Sequence, residues 1–64
     1  MLDLNALKAE MVRNGYNQET LANAIGLSPR TLSTRFKTGD FGTKEIEKLT
    51  EVLNIKNPWK IFFA

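Results

Sequence analysis

The chain contains neither cysteine nor histidine. Without cysteine it has no disulfide framework and no thiolate ligand for a metal ion. Without histidine it lacks the commonest metal ligand and the commonest general acid or base of enzymes. These two absences favour a protein that is not an enzyme, and we expect it to use no metal and no cofactor.

Long apolar runs are missing as well, and none approaches the roughly 20 residues that a membrane-spanning helix needs. The first residues do not form the basic segment followed by an apolar stretch that is typical of a signal peptide. Repeats, heptads and glycine-rich phosphate loops are also absent. We therefore expect a soluble, intracellular protein with no membrane partner and no small-molecule substrate.

What the sequence does contain is enough apolar material for one small core. Its 64 residues are 42% hydrophobic and 9% aromatic. A chain of this length buries only about 60% of the surface that it exposes when unfolded, so the core must be dense. We predict a single domain over residues 1–64, all-α, with five helices packed as a compact bundle.

The apolar spacing predicts the first, fourth and fifth helices. Asp3 is the expected N-cap of the first and Asn14-Gly15 its end; Thr43 is the expected N-cap of the fourth. Asn57-Pro58 is a cap-then-proline signal for a short last helix. In the turn before the fourth helix, we expect Phe41 to tuck under the loop. The two long apolar stripes are Leu4, Leu7, Met11 and Val12 in the first helix, and Ile46, Leu49, Val52 and Leu53 in the fourth.

Two short helices joined by a tight turn are predicted between Asn17 and Lys37. Asn17 caps the first of them, whose apolar stripe is Leu21, Ala22 and Ile25. Gly26 ends it, because glycine accepts the left-handed backbone of a helix C-terminus. Ser28 then caps the next helix, and Pro29 occupies its first position, where the missing N–H costs nothing.

The second helix of this pair, at about 28–37, separates apolar from cationic residues. A helical wheel places Pro29, Leu32 and Phe36 on the inward face and Arg30, Thr31, Thr34 and Lys37 opposite. The segment from Ser28 to Gly39 carries three cations and no acid, whereas all seven acidic residues lie elsewhere. A cationic, hydroxyl-rich helix face suits a groove lined by phosphates and base edges.

The sequence of these two helices resembles that of a known family, the repressor and Cro proteins of temperate phages. The chain is similar to the small Cro-like regulators of that group along nearly its full length. The match to the spacing of their helix-turn-helix is carried by Gln18, Leu21, Ala22, Ile25, Gly26, Leu27 and Leu32.

The resemblance implies a lambda-repressor-like DNA-binding domain with its helix-turn-helix at helices 2 and 3. It implies a transcriptional regulator that binds operator DNA as a homodimer in the cytoplasm of a bacterial host. In the family, the first, second and sixth residues of the recognition helix contact base edges, here Pro29, Arg30 and Thr34. Gln18 matches a glutamine that binds a phosphate and braces this helix. The phosphate contacts assigned more loosely are Ser28, Thr31, Ser33, Arg35 and Lys37.

The chain departs from the family pattern at two places. Arg35 stands where the family usually has an apolar residue, so we expect Phe36 to take over the packing and Arg35 to be free for a phosphate. Met11 and Phe36 occupy positions where many relatives have an ion pair. We expect an apolar contact to replace it.

The last six residues crowd four large apolar side chains into one helical turn: Trp59, Ile61, Phe62 and Phe63. Either all four fold back onto the core, or some remain exposed as a dimer contact. The sequence leaves this open.

Two other functions compete with DNA binding. In the first, the protein is an interaction module that binds a repressor or another protein through its aromatic C-terminus and binds DNA weakly or not at all. In the second, the carboxylates of Glu45, Glu47 and Glu51 serve a small hydrolase. We disfavour the hydrolase because we expect these carboxylates on a wet helix face, where nothing raises a pKa.

Overall fold

Five α-helices and no β-strands form the architecture of the computed structural model, which describes all 64 residues. In chain order the helices are α1 (Leu4–Arg13), α2 (Gln18–Ile25), α3 (Pro29–Thr38), α4 (Thr43–Val52) and α5 (Trp59–Phe62). None of them has the length and apolar character needed to cross a lipid bilayer. The predicted all-α class and the number of helices are confirmed.

The first three helices begin at the N-caps that the sequence predicts. The side chains of Asp3, Asn17 and Ser28 each accept a hydrogen bond from the backbone N–H three residues later, at 3.1, 2.8 and 3.1 Å. In α2 there is also a reciprocal bond, in which the hydroxyl of Thr20 accepts from the backbone N–H of Asn17 at 2.9 Å. These bonds satisfy N–H groups that a helix start otherwise leaves unpaired.

The last two helices begin differently from the prediction. Gly42, rather than Thr43, is the N-cap of α4. Glycine has no side chain to cap with, and the carboxylate of Glu45 instead accepts from the N–H of Gly42 at 3.1 Å. The fifth helix has Pro58 as its N-cap rather than Asn57, and no side chain caps it. It therefore begins one residue later than predicted.

Gly26 ends α2 as predicted, in the left-handed backbone conformation with φ of 79°. Residues with a β-carbon resist this conformation, whereas glycine adopts it freely. The connection from α2 to α3 is consequently only three residues long, from 26 to 28. It turns the chain sharply and brings α3 against α2.

A single cluster of twelve buried apolar residues forms the core, and no polar or charged side chain is buried. Val12, which the sequence placed beside the apolar positions of the first helix, is not part of the core, since it is 78% exposed. It lies one position after Met11, about 100° around the helix and outside the buried stripe. The cluster comprises Leu7, Met11, Leu21, Ala22, Ile25, Leu32, Phe36, Leu49, Leu53, Ile55, Ile61 and Phe62.

The helices pack in two groups that share this core. Helix α2 packs against both α3 and α4, while α1 packs against α5. Between α3 and α4 the ring of Phe41 turns inward, with its centroid 6.2 Å from that of Phe36 and 5.7 Å from that of Phe62. The predicted tuck of Phe41 is confirmed, and it links the end of α3 to the C-terminal helix.

Candidate functional site

Helix α3 has a buried inner side and an exposed outer face. Leu32 and Phe36 lie in the core as predicted. Pro29 was expected beside them, but it is exposed. It is the first residue of the helix, about one turn before Leu32 and at the margin of the core. The outer face of α3 consists of the exposed residues Arg30, Thr34 and Lys37 and the half-buried Thr31.

The hydroxyl groups of this region are partly engaged within the helix itself. Ser28 donates from its hydroxyl to the hydroxyl oxygen of Thr31 at 2.9 Å. Thr34 donates to the backbone carbonyl of Arg30 at 3.2 Å. The hydroxyl proton of Thr31 has no partner in the structure, so this side chain retains a donor for an anion.

Two of the three cations on α3 are free of acidic partners. The structure contains two ion pairs, Arg13 with Glu10 and Arg35 with Glu45, and neither involves Arg30 or Lys37. Both free side chains belong to exposed residues. The outer face of α3 therefore presents positive charge to solvent without an internal counter-ion.

Arg35 is not free, contrary to the expectation. Its Nε donates to Oε1 of Glu45 at 3.0 Å and its Nη2 donates to Oε2 at 3.3 Å. Glu45 is accordingly not on the wet face of α4, since its side chain is only 18% exposed. The hydrogen bond from Arg35 lowers the pKa of Glu45, and the same bond raises the pKa of Arg35. Both groups are therefore charged at neutral pH.

Gln18 joins the first turn of α2 to the first turn of α3. Its side-chain Nε2 donates to the backbone carbonyl of Pro29 at 3.1 Å. The bond spans eleven residues of sequence and crosses the connection between the helices. The side chain thus stands where it can brace α3, and its amide keeps one further N–H for an anion.

Lys48 is a residue near this site that the sequence did not indicate. Its Nζ lies 3.8 Å from the position that a β-carbon on Gly26 would take. A cation there faces the C-terminal end of α2, where the helix dipole is negative. On the sequence Lys48 is one of several charged residues on α4, and only the packing of α4 on α2 brings it beside the turn.

The four apolar residues of the C-terminal helix divide into two pairs. Ile61 and Phe62 are 7% and 5% exposed and belong to the core, so neither of them forms part of an exposed contact surface. Trp59 and Phe63 are 68% and 57% exposed, with ring centroids 5.1 Å apart. The alternative in which all four fold back onto the core is therefore wrong, because two of them remain exposed.

The carboxylates considered for a hydrolase do not form a cluster. Glu45 is bound to Arg35, which lowers its pKa rather than raising it. Glu47 and Glu51 are exposed residues of α4. No group of three or more acidic, histidine or cysteine side chains in the chain is arranged to hold a metal ion.

Comparisons of the chain with models of protein families, with curated proteins and with solved structures find no match. The function is therefore argued from the residues of the site and from their placement.

Proposed function

We propose that the protein is a sequence-specific DNA-binding transcriptional regulator of the phage Cro and repressor type. In this proposal α2, the connection at 26–28 and α3 form a helix-turn-helix, and α3 enters the major groove of an operator half-site. The observation that carries the proposal is the outer face of α3, where Arg30 and Lys37 are exposed without acidic partners. Such a face is complementary to the phosphates and base edges of the groove.

In this proposal each side chain of the region has the role that its position in the resembling family implies. Arg30, the second residue of α3, contributes the main base contact, because a guanidinium can bind guanine O6 and N7 with two hydrogen bonds. Thr34 is the second base contact. Pro29 offers only apolar contact, since it has no donor. The contacts to phosphate, which position the helix but do not read sequence, come from Gln18, Ser28, Thr31, Ser33, Arg35 and Lys37.

The exposed pair of Trp59 and Phe63 supports binding as a homodimer. Aromatic residues are enriched at protein interfaces, and a small domain gains nothing in its own core from two exposed rings. Two copies joined through this pair would bind a roughly palindromic operator whose half-sites lie about one helical turn apart. Ile61 and Phe62 belong to the core and are not part of this contact surface.

The same aromatic pair also favours the second candidate, a module that binds a repressor or another protein through its C-terminus. The two candidates differ in what the outer face of α3 does. In the regulator it binds DNA, whereas in the module it contributes little or nothing to binding.

A gel-shift assay with the DNA that flanks the gene of this protein tests the proposal. We expect a shift that weakens steeply with salt, because each phosphate neutralised contributes about −0.9 to the slope of log K against log salt. Unrelated DNA of equal length should bind more weakly. A protein that ignores both DNAs but co-purifies with a protein partner would be the interaction module instead.

A further inference from the structure

A bridge between α3 and α4 fixes the side chain of Arg35. Both carboxylate oxygens of Glu45 accept from the guanidinium, through Nε and Nη2. Oε1 of Glu45 also accepts from the backbone N–H of Gly42, at the start of α4. The carboxylate is therefore held from two sides, and it holds the planar guanidinium in one orientation.

The bridge leaves part of the guanidinium available. The group has five N–H donors, of which Glu45 takes one on Nε and one on Nη2. Nη1 has no partner in the structure, and it lies on the edge of the plane that faces away from the carboxylate. Because the side chain of Arg35 is 34% exposed, we expect this edge to meet solvent.

We expect the half-buried Thr31 to lie near this free edge on α3. Residues four apart on a helix are neighbours, so Thr31 lies one turn before Arg35 on the same side. Its hydroxyl accepts from Ser28 and keeps its own proton unpaired. If they lie together, the N–H groups of Arg35 and the hydroxyl of Thr31 can both donate hydrogen bonds to the oxygens of one phosphate.

We propose that Glu45 is a positioning residue, which holds Arg35 so that its free edge, together with the hydroxyl of Thr31, binds one backbone phosphate of DNA. This inference rests on the proposed function. Glu45 itself does not touch the DNA. An arginine that is already ordered loses less side-chain entropy on binding, and this is how the carboxylate favours the contact.

Two effects of Glu45 on DNA binding have opposite signs, which makes the inference testable. Its negative charge repels phosphate, whereas its hydrogen bonds order Arg35. Glu47 provides the matched control, because it is an exposed glutamate on the same helix and has no ion-pair partner. Glu47→Ala removes a charge alone, and Glu45→Ala removes a charge and the ordering of Arg35.

The experiment measures the affinity of the full chain for a fluorescently labelled duplex of mixed sequence, by anisotropy, over a series of salt concentrations. We expect Arg35→Ala to weaken binding about threefold to tenfold and to reduce the salt slope by about one. Glu45→Ala should weaken binding by a similar factor, while Glu47→Ala should leave it unchanged or tighten it. In the Arg35→Ala background, Glu45→Ala should cause no further weakening, because it acts through Arg35.

Glu45→Gln separates positioning from folding. Glutamine keeps an oxygen that can accept from the arginine, so this variant should bind within about twofold of the native chain. Thermal denaturation of every variant establishes that it is folded at the assay temperature. If Glu45→Ala is unfolded there, Glu45→Asp takes its place, because it keeps the charge but sets the carboxylate back from Arg35 by one methylene. It should weaken binding, and binding as tight as that of the native chain overturns the inference.

The results distinguish the inference from the proposed function. If the native chain binds DNA with steep salt dependence but Glu45→Ala binds as tightly as Glu47→Ala, the positioning role is overturned and the DNA-binding function stands. If Glu45→Ala weakens binding by the same factor in the native chain and in the Arg35→Ala variant, the positioning role is overturned as well. If the native chain shows no salt-dependent binding to any duplex, the proposed function fails and the inference fails with it.

Discussion

The side-chain amide of Gln18 donates a hydrogen bond to the backbone carbonyl of Pro29 at 3.1 Å, which ties the first turn of α2 to the first turn of α3. Arg30 is the residue directly after this carbonyl. The bond, the short connection and the buried side chain of Leu32 together restrict how the start of α3 is presented to solvent. A recognition helix needs such restriction, because contacts to base edges depend on position and angle.

Arg30→Ala should therefore weaken operator binding by roughly tenfold to a hundredfold, since a two-bond contact to guanine contributes about 1–3 kcal/mol of discrimination. Preference should relax at one base pair in each half-site. Titration of the native operator and of its single-base variants measures both effects.

Lys37→Ala is the control for that prediction. If Lys37 contacts only phosphate, the variant should lose affinity for operator and unrelated DNA equally, with a salt slope reduced by about one unit. Should Arg30→Ala behave in the same way, Arg30 is a phosphate contact, and the readout lies in Thr34, in Pro29 or in DNA shape.

Gly26→Val should destabilise the domain by about 1–2 kcal/mol, because its φ of 79° forces a side chain into left-handed backbone. A β-carbon there meets only the Nζ of Lys48, at 3.8 Å, so crowding adds little. Thermal denaturation followed by circular dichroism should show a fall of roughly 4–8 °C in Tm for each kcal/mol. An unchanged Tm for Gly26→Val contradicts the prediction.

Phe62→Ala and Phe63→Ala should differ strongly in stability although the residues are neighbours. Phe62 is buried, and its truncation should cost about 3–5 kcal/mol of the free energy of unfolding. Phe63 is largely exposed, and its loss should change stability by less than about 0.5 kcal/mol. Urea denaturation measures both, and equal midpoints would show that the two rings are not distinguished by burial.

Trp59→Ala and Phe63→Ala should reduce self-association and lower affinity for a two-half-site operator more than for a single half-site. The reason is that their exposed rings form one apolar patch. Val12→Ala is the control, since Val12 is also an exposed apolar residue and lies on another helix. Sedimentation equilibrium reads the oligomeric state directly. A monomer at high concentration that still binds the full operator rules the patch out as a dimer contact.

Stability should fall more steeply in acid for the native chain than for Glu45→Gln. The hydrogen bond from Arg35 holds the pKa of Glu45 below its usual 4.5 in the folded state, so the unfolded chain takes up the proton first. The stabilisation is therefore complete above about pH 4.5 and is lost as the pH falls through the lowered value. Melting curves at a series of pH values, at low salt, measure the difference. Parallel curves for the two proteins would contradict it.

Much of the fold could be predicted because its signals are local in sequence. The caps at Asp3, Asn17 and Ser28 each bond to a group only three residues away. The end of α2 depends on the backbone freedom of one residue, Gly26. The regular spacing of apolar residues indicated most of the core, since one side of each helix must be buried for a chain this short to fold.

The sequence by itself determined the number of helices, most of their boundaries and the cationic, hydroxyl-rich surface of α3. The tertiary structure decided which side chains are available. It bound Arg35 to Glu45 across ten residues of sequence, and it buried Phe62 while leaving Phe63 exposed. The helical period predicts which residues share one face of a helix. Whether a side chain is buried or ion-paired depends on which residues from distant parts of the chain pack against it. That placement exists only in the packed molecule.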